Sequence, residues 1–345
     1  MNKLRVRPDS GWICGYTNRR SVRVRTPSLL LRFFFCIPPL SLRERGVNPE
    51  RNLVHIPVLP TEVLHWLASQ PGQTIVDATA GAGGHAALLW QRIQPGGTLI
   101  ALDQDPSMLA IAKQQLADPR VIWVHRNFED LPSVLDDLKI PTVDAILADL
   151  GFASDQMSDP QRGFSFQTDG PLDMRLDPTR GEPVSALIRR LTEKDLADIF
   201  WQYGQERFSR RVARVIVETR KKTSIATTGQ LAELVCRCVP RSKGHSIHPA
   251  TRVFQALRIA INDELGALER FLQAVPDCLN PGGKVAVISF HSLEDRMVKQ
   301  AFRKMPTLIK ELTRKPVQAG DEETRNNSRA RSAKLRVAEL VVRSP

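Results

Sequence analysis

Short apolar runs alternate with amphipathic stretches between residues 61 and 149. Val, Ile, Leu and Ala dominate the short runs, which is typical of buried strands. Between them apolar residues recur every three or four positions, as in Met108, Leu109, Ala112 and Leu116, which indicates helices. The predicted strands cover residues 74–77, 98–103, 121–124 and 143–149. This alternation predicts an α/β fold with a parallel, doubly wound sheet.

The alternation stops after Asp149. Residues 151–177 are rich in Asp, Gly, Pro, Ser and Arg and predict a long functional loop. Helices follow at 196–203 and 205–221. The second helix is predicted to bury Phe208, Val212, Val215, Ile216 and Thr219. Its exposed face would carry four arginines, Arg207, Arg210, Arg211 and Arg214.

From Pro249 one long helix is predicted through Leu272, packing back on the sheet. A turn at 279–283, a strand at 284–290 and a last strand near 335–342 complete the pattern. We therefore predict a core made of residues 51–151 and 249–345. Residues 152–248 would form an inserted loop and helical domain that recognises the substrate.

The net charge of +12 is concentrated at the start of the chain, since residues 1–51 alone carry +8. Residues 1–50 are arginine-rich, and we expect a disordered leader or a wrongly included start there. Their apolar run 29–37 is too short to span a membrane. Five cysteines without a framework spacing favour a reducing, cytoplasmic location.

Acidic and glycine residues stand where the predicted strands end. Glycines 81, 83 and 84 follow the first strand, and Asp103 lies 20 residues after Gly83, at the end of the second. A carboxylate at this spacing holds the ribose diol in βαβ nucleotide folds. Asp149 ends the fourth strand, and Phe128, just after the third, can lie against a planar base. These residues predict a nucleotide-type pocket at the carboxyl edge of the sheet.

Two cofactor classes use such a pocket, nicotinamide dinucleotides and S-adenosylmethionine. The segment 81–86 also matches the dinucleotide fingerprint, so an NAD-dependent oxidoreductase is one alternative. Asp77 argues against it, because a carboxylate beside the ligand would repel a pyrophosphate. A non-catalytic RNA-binding or assembly factor on the same fold is the other alternative.

No metal site is predicted. Cys236, Cys238, His245 and His248 invite comparison with a zinc site. However, two cysteines one residue apart on a helix point to different faces, and the usual paired Cys-x-x-Cys signal is missing.

Seven segments of the chain together resemble the RsmH family, also called MraW. They are 55–59 (HIPVL), 77–85 (DATAGAGGH), 149–151 (DLG), 162–166 (RGFSF), 169–175 (DGPLDMR), 248–252 (HPATR) and 288–295 (ISFHSLED). The resemblance runs in order from about His55 to Leu340. It implies an S-adenosylmethionine-dependent methyltransferase acting on the exocyclic N4 of a cytosine at the decoding site of 16S rRNA.

The resemblance also implies a class I, Rossmann-like methyltransferase sheet with a helical domain inserted after the fourth strand. By position, the residues that would bind the cofactor are Gly83, Gly84, His85, Asp103, Phe128, Asp149 and Gln156. The chain departs from the family pattern at residues 152–155, where Phe-Ala-Ser-Asp replaces the commoner Val-Ser-Ser-Pro. This departure puts the contacts to the target base in question more than activity itself.

An exocyclic amine needs a hydrogen-bond acceptor and in-line orientation before it can be methylated. Asp149 is therefore our candidate catalytic residue. The candidates for holding RNA are Asp173, Arg175, His248, Arg252 and His291. For Asp173 and Arg175 a structural salt bridge is an equal alternative. The expected partner is 16S rRNA within the small ribosomal subunit, with no membrane, and a dimer remains open.

Overall fold

The computed structural model describes residues 56–240 and 248–341. The predicted leader and His245 lie outside these ranges. Seven strands are β1 Thr74–Asp77, β2 Thr98–Asp103, β3 Ile122–His125, β4 Val143–Asp149, β5 Leu279–Ser289, β6 Ile309–Glu311 and β7 Lys334–Leu340. The α-helices of the described ranges are α1 Pro60–Leu67, α2 Gly84–Ile93, α3 Pro106–Gln115, α4 Leu131–Leu138, α5 Ser154–Ser158, α6 Val184–Arg190, α7 Glu193–Gln202, α8 Ser209–Arg220, α9 Thr228–Cys238, α10 Thr251–Asn262, α11 Glu264–Cys278, α12 Ser292–Lys304 and α13 Asp321–Asn326.

The strands form one sheet in the order β3-β2-β1-β4-β5-β7-β6. The first five are parallel, as predicted, but β7 runs antiparallel to β5 and β6. The alternation predicted the parallel strands but left the direction of the last strand open. Lys334 pairs with Ser289, the last residue of β5. When β7 begins, the chain lies at the carboxyl edge of the parallel strands. From there β7 runs towards the opposite edge of the sheet, antiparallel to β5.

Apolar side chains alternate between the two faces of the sheet. Ile75 packs with α1, α2 and α3 on one face, whereas its neighbour Val76 packs with α4, α11 and α12 on the other. The irregular start of β5 includes the glycine segment that we predicted as a turn. The pairing with β4 shifts there, from Leu279 opposite Val143 to Lys284 opposite Ala145.

A third apolar cluster lies in the insertion between β4 and β5. Helices α6 to α10 bury their apolar faces against one another there. Val253, Phe254 and Leu257 of α10 belong to this cluster, so residues 251–262 do not pack on the sheet as we predicted. The single long helix is also wrong, because Asp263 takes a left-handed conformation (φ 48°) between α10 and α11. We propose that the inserted domain extends to Asn262.

Helix α8 is shorter than predicted. It begins at Ser209, and Phe208 before it is 38% exposed instead of buried. Arg207 also precedes the helix, so α8 itself carries only three of the four arginines. Within the described residues, no helix has the length and apolar character needed to cross a membrane.

Candidate functional site

A cleft with about 930 Å³ of empty space, partly open to solvent, lies at the carboxyl ends of β1, β2 and β4. It is lined by the glycine loop after β1, by the ends of β2 and β4, and by parts of α11, α12 and the C-terminal region. Six of the seven predicted cofactor residues line it: Gly84, His85, Asp103, Phe128, Asp149 and Gln156. The seventh, Gly83, is the residue before α2.

The glycine loop depends on glycine for two reasons. Gly81 and Gly83 have positive φ values of 52° and 93°, which other residues rarely adopt. In addition, a Cβ on Gly83 would lie 3.1 Å from Cβ of Ala112 in α3. The loop therefore packs closely on α3 and brings the N-terminus of α2, with its free N–H groups, to the cleft.

Asp103 is held rigidly at the end of β2. Its carboxylate accepts hydrogen bonds from the backbone N–H of Gly81 (2.7 Å) and of Asp105 (2.8 Å). Burial raises its pKa to about 6 against these hydrogen bonds. Each oxygen keeps a second lone pair, so the carboxylate can accept two further hydrogen bonds from a diol.

Phe128 follows β3 and lies in a short 3₁₀ helix, Phe128–Asp130. Its ring packs edge-on against Phe271 of α11, with 5.4 Å between the centroids. This contact fixes the ring at the wall of the cleft, where a planar base can lie against it.

Two buried carboxyl groups stand beside each other at the ends of β1 and β4. Burial raises the pKa of Asp149 to about 7; Arg329 opposes this shift and Glu294 adds to it. Oδ1 of Asp149 has no hydrogen-bond partner among the described residues. Asp77 is fully buried below the cleft, does not line it, and has a pKa raised to about 7 by burial. The prediction that Asp77 lies beside the ligand and would repel a pyrophosphate is therefore wrong, because Asp77 does not border the cleft.

His85 is the second residue of α2 and is buried. Its Nε2 lies 2.9 Å from the carbonyl oxygen of Val58, and its Nδ1 lies 3.6 Å from Oδ2 of Asp149. Burial lowers its pKa to about 4, so the imidazole is neutral near pH 7. A histidine predicted as a cofactor contact is thus also the neighbour of the candidate catalytic carboxylate.

Gln156 lines the cleft, but its amide is engaged within the protein. Nε2 donates to Oδ2 of Asp105 (2.6 Å), and Oε1 accepts from the N–H of Ala153 (2.7 Å). Arg162 donates to the same Asp105 oxygen (2.6 Å). Burial of Asp105 is outweighed by the hydrogen bonds from Ser107, Gln156 and Arg162, and its pKa is lowered. These contacts tie the loop after β4 to the start of α3.

Phe152, where the chain departs from the family pattern, has its own packing partners. Its ring stacks on Phe164, with centroids 5.3 Å apart, and the guanidinium of Arg258 lies 4.7 Å from its centroid. Its carbonyl oxygen accepts a hydrogen bond from Arg329 (2.6 Å). The departure is therefore accommodated by aromatic and cation–π contacts with the inserted domain.

None of the five predicted RNA-binding residues lines the cleft. Arg175 pairs with Asp173 through two hydrogen bonds of 2.8 Å, which is the structural alternative that we weighed. His248 stacks on Phe166, with centroids 4.5 Å apart, and its Nδ1 accepts from the N–H of Ala250. Arg252 is exposed near the carbonyl of Gln205.

His291 caps the N-terminus of α12 and pairs with Glu294 at 3.0 Å. Ligand atoms of Glu264, His291 and Glu294 lie within 4.8 Å of one another. Arg258 occupies both oxygens of Glu264, however, at 2.7 and 2.8 Å. Capping and this ion pair account for the cluster, so we propose no metal there.

Sequence reasoning missed Arg329, Asn262, Glu264 and Glu294 as cleft residues. Glu294 falls in a segment that carried the resemblance, and Arg329 stands in a basic run near the end of the chain. Neither position shows by itself that the side chain reaches a cleft built mainly from residues 78–156. No local pattern marks Asn262 or Glu264, because the pattern is continuous through the break at Asp263.

The sheet with its helical insertion, the glycine loop and the acidic strand ends form a Rossmann-like fold with a nucleotide-type cleft, and the family to which the chain belongs makes it a class I methyltransferase. The chain belongs to the MraW methylase family, whose model matches residues 52–341.

Among its relatives is the ribosomal RNA small subunit methyltransferase H of Deinococcus deserti, 49% identical over 84% of this chain and 95% of that protein. The protein of the same name from Rhodopirellula baltica is 46% identical over 83% of this chain and 91% of its own. Similar solved structures include an rRNA methylase from Streptococcus thermophilus (11% identity, TM-score 0.40, 82% and 97% covered). Another is a Streptococcus mutans protein in complex with SAH (10% identity, TM-score 0.38, 82% and 98% covered).

Proposed function

We propose that this protein transfers the methyl group of S-adenosylmethionine to the exocyclic N4 of one cytosine at the decoding site of 16S rRNA. The observation that carries the proposal is a carboxylate-lined cleft at the carboxyl ends of β1, β2 and β4 in a member of the MraW methylase family. Relatives that share almost half of its residues bear the name ribosomal RNA small subunit methyltransferase H.

The residues of the cleft fit this cofactor. Asp103 has lone pairs free for a ribose diol, and Phe128 offers a fixed ring for the adenine. The N-terminus of α2 and the glycine loop can approach the amino-acid part through bare backbone N–H groups. Gln156 would act by shaping the loop, because its amide is already engaged. When bound, S-adenosylmethionine supplies an electrophilic methyl group on a sulfonium.

Asp149 is the group best placed to act on the target amine. The lone pair of a cytosine amine is delocalised into the ring, so the amine must be oriented and relieved of a proton during methyl transfer. Oδ1 of Asp149 is buried and has no hydrogen-bond partner among the described residues, which makes it an available acceptor. Its raised pKa, about 7, is matched to a base that works near neutral pH.

The inserted domain is the proposed surface for RNA. Arg210 and Arg214 are exposed on α8, and Arg252 is exposed at the start of α10. Exposed guanidinium groups on a helical domain suit contacts to phosphates. His248 and His291 stay candidates, whereas the mutual pairing of Asp173 and Arg175 favours a structural role for both.

A ribosomal substrate would place the protein in the cytoplasm with the small ribosomal subunit as its partner. The amine of the target base can reach the buried carboxylate of Asp149 only if the base leaves its stack, as is usual for enzymes that modify bases. We therefore propose an unpaired or splayed cytosine as the substrate.

The test is transfer of labelled methyl from S-adenosylmethionine to small subunits that lack the modification, followed by identification of the product nucleoside. We expect N4-methylcytidine at one position. With S-adenosylmethionine at saturation, so that a change in cofactor affinity does not enter the rate, Asp149→Ala should reduce single-turnover transfer by 10²-fold or more, in the range of lost acid–base catalysis.

Two outcomes would contradict the proposal. Cofactor binding without any transfer by the wild-type protein would favour an rRNA-binding or assembly factor. Absence of cofactor binding would restore the oxidoreductase alternative, which Asp77 no longer excludes.

A further inference from the structure

The two nitrogens of His85 have different, fixed surroundings. Nε2 lies 2.9 Å from the carbonyl oxygen of Val58, which can only accept a hydrogen bond. A neutral His85 must therefore carry its proton on Nε2. Nδ1 is then a bare acceptor, and it faces Oδ2 of Asp149 at 3.6 Å.

A carboxylate oxygen and a bare imidazole nitrogen are both acceptors, so they cannot bond to each other without a proton between them. Both side chains are buried, His85 at 6% and Asp149 at 9% exposure. The pair is therefore complete only when Asp149 is protonated and donates to Nδ1.

Three other charged groups act on the pair. Arg329, just before β7, attracts the negative form of Asp149. Glu294 of α12 and Asp77 of β1 repel it. Burial raises the pKa of Asp149 to about 7, with Arg329 opposing and Glu294 adding to the shift, so Asp149 can both lose and regain a proton near neutral pH.

We propose that His85 is a positioning residue for the methyl transfer, because its Nδ1 receives the hydrogen bond of Asp149 once Asp149 has taken a proton from the target amine. This inference rests on the proposed function. The amine nitrogen forms a bond to the methyl carbon, and the electron pair of the broken carbon–sulfur bond returns to sulfur. The proton leaves the nitrogen for Asp149, which later releases it to solvent.

The plain alternative is that His85 only packs and anchors the segment before α1 through Val58. His85→Gln separates the two roles. The amide nitrogen of glutamine lies where Nε2 of histidine lies, so the bond to Val58 is kept and the acceptor facing Asp149 is lost. The matched variant His85→Asn places an amide oxygen near the position of Nδ1 and gives up the bond to Val58.

We expect His85→Gln to lower the single-turnover rate about tenfold or more at pH 7 with cofactor at saturation, so that a change in cofactor affinity does not enter the rate. The pH profile decides the mechanism. Without the acceptor, protonated Asp149 loses a stabilising contact and the pKa of Asp149 falls. Because the reaction needs Asp149 deprotonated, the acidic limb of the rate profile should move to lower pH. His85→Asn should keep the wild-type limb more closely while unfolding at lower urea concentration.

A shift of the limb to higher pH would overturn the inference, since it would show that His85 is a cation paired with a carboxylate. An unmoved limb would show that His85 is only structural.

A readout independent of activity is ¹⁵N NMR of the imidazole. In the wild-type protein we expect the Nε2–H tautomer at pH 7, and in Asp149→Asn we expect a changed chemical shift of Nδ1. A wild-type protein that shows this tautomer but transfers no methyl would refute the proposed function and leave the pair intact.

Discussion

Three acidic residues at neighbouring strand ends are buried, and burial raises the pKa of each. The values are about 7 for Asp77 and Asp149 and about 6 for Asp103. Asp103 and Asp149 line the cleft, and raised pKa values of cleft residues are typical of functional sites. The free energy that these buried acids cost the apo protein depends on pH.

Asp77 gives the clearest test of this cost. Its pKa is raised from 3.8 to about 7 in the folded protein, so its contribution to stability is full below about pH 4 and is lost as pH rises through 7. In Asp77→Asn this loss is absent. Relative to wild type, the unfolding free energy of the variant should therefore rise by about 3 kcal/mol between pH 4.5 and 8.

Urea unfolding of the cofactor-free proteins at several pH values measures this difference. The new amide can add a constant to the difference in unfolding free energy, but it does not change how that difference varies with pH. Asp103 and Asp149 are present in both proteins. A difference that stays flat across the range would mean that Asp77 ionises freely in the fold.

The acidic strand ends could be predicted from the sequence, because each is a polar residue directly after an apolar run. Asp103 and Asp149 were recognised in this way. The pairing of His85 with Val58 and the reach of Arg329 to Phe152 could not be predicted. Both contacts join parts of the chain that no local pattern relates, and only the folded sheet brings them together.

At the level of elements, the local sequence pattern predicted those helices and strands whose apolar residues pack in the core around the sheet. All five parallel strands and helices α1 to α4 follow the predicted order. The pattern failed where backbone conformation decides, as at Asp263. Ile261 and Leu265 keep helical spacing across this residue, yet its positive φ redirects the chain from the inserted domain to the sheet.

Helix α8 allows a test of the proposed RNA-binding surface. Arg210→Glu combined with Arg214→Glu should weaken binding to small-subunit RNA by tenfold or more and flatten its salt dependence, because fewer counterions are released. The matched control is Arg296→Glu with Lys304→Glu, the same charge change on exposed positions of α12, which packs on the sheet. Binding assays at several salt concentrations measure both. If both double variants lost the same affinity for RNA, the loss would come from the change in net charge and not from a binding surface on α8.

At the scale of the whole molecule, the inserted domain is tied to the sheet by a buried ion pair. Arg162 donates to Asp105 at the start of α3 and, on the other side, to the carbonyl oxygens of Arg175 and Leu176. Asp105 is fully buried, and Arg162 is 13% exposed. Loss of the arginine would leave a buried charge without its partner.

Arg162→Met should therefore lower the unfolding free energy by about 3–5 kcal/mol, as is usual when one member of a buried pair is removed. The control is Arg190→Met, which breaks an exposed pair with Glu182 and should cost about 1 kcal/mol or less. Urea denaturation followed by circular dichroism compares the two variants. Similar small losses would show that the tie to Asp105 adds little to stability.

The chain enters the inserted domain after Leu150 and leaves it at Asp263, and both crossings border the cleft through Gly151, Phe152, Asn262 and Glu264. The two segments that connect the inserted helices to the sheet therefore form part of the cleft wall. A molecule that fills the cleft contacts the same stretches of backbone that carry the inserted domain, so binding in the cleft and the placement of that domain share residues.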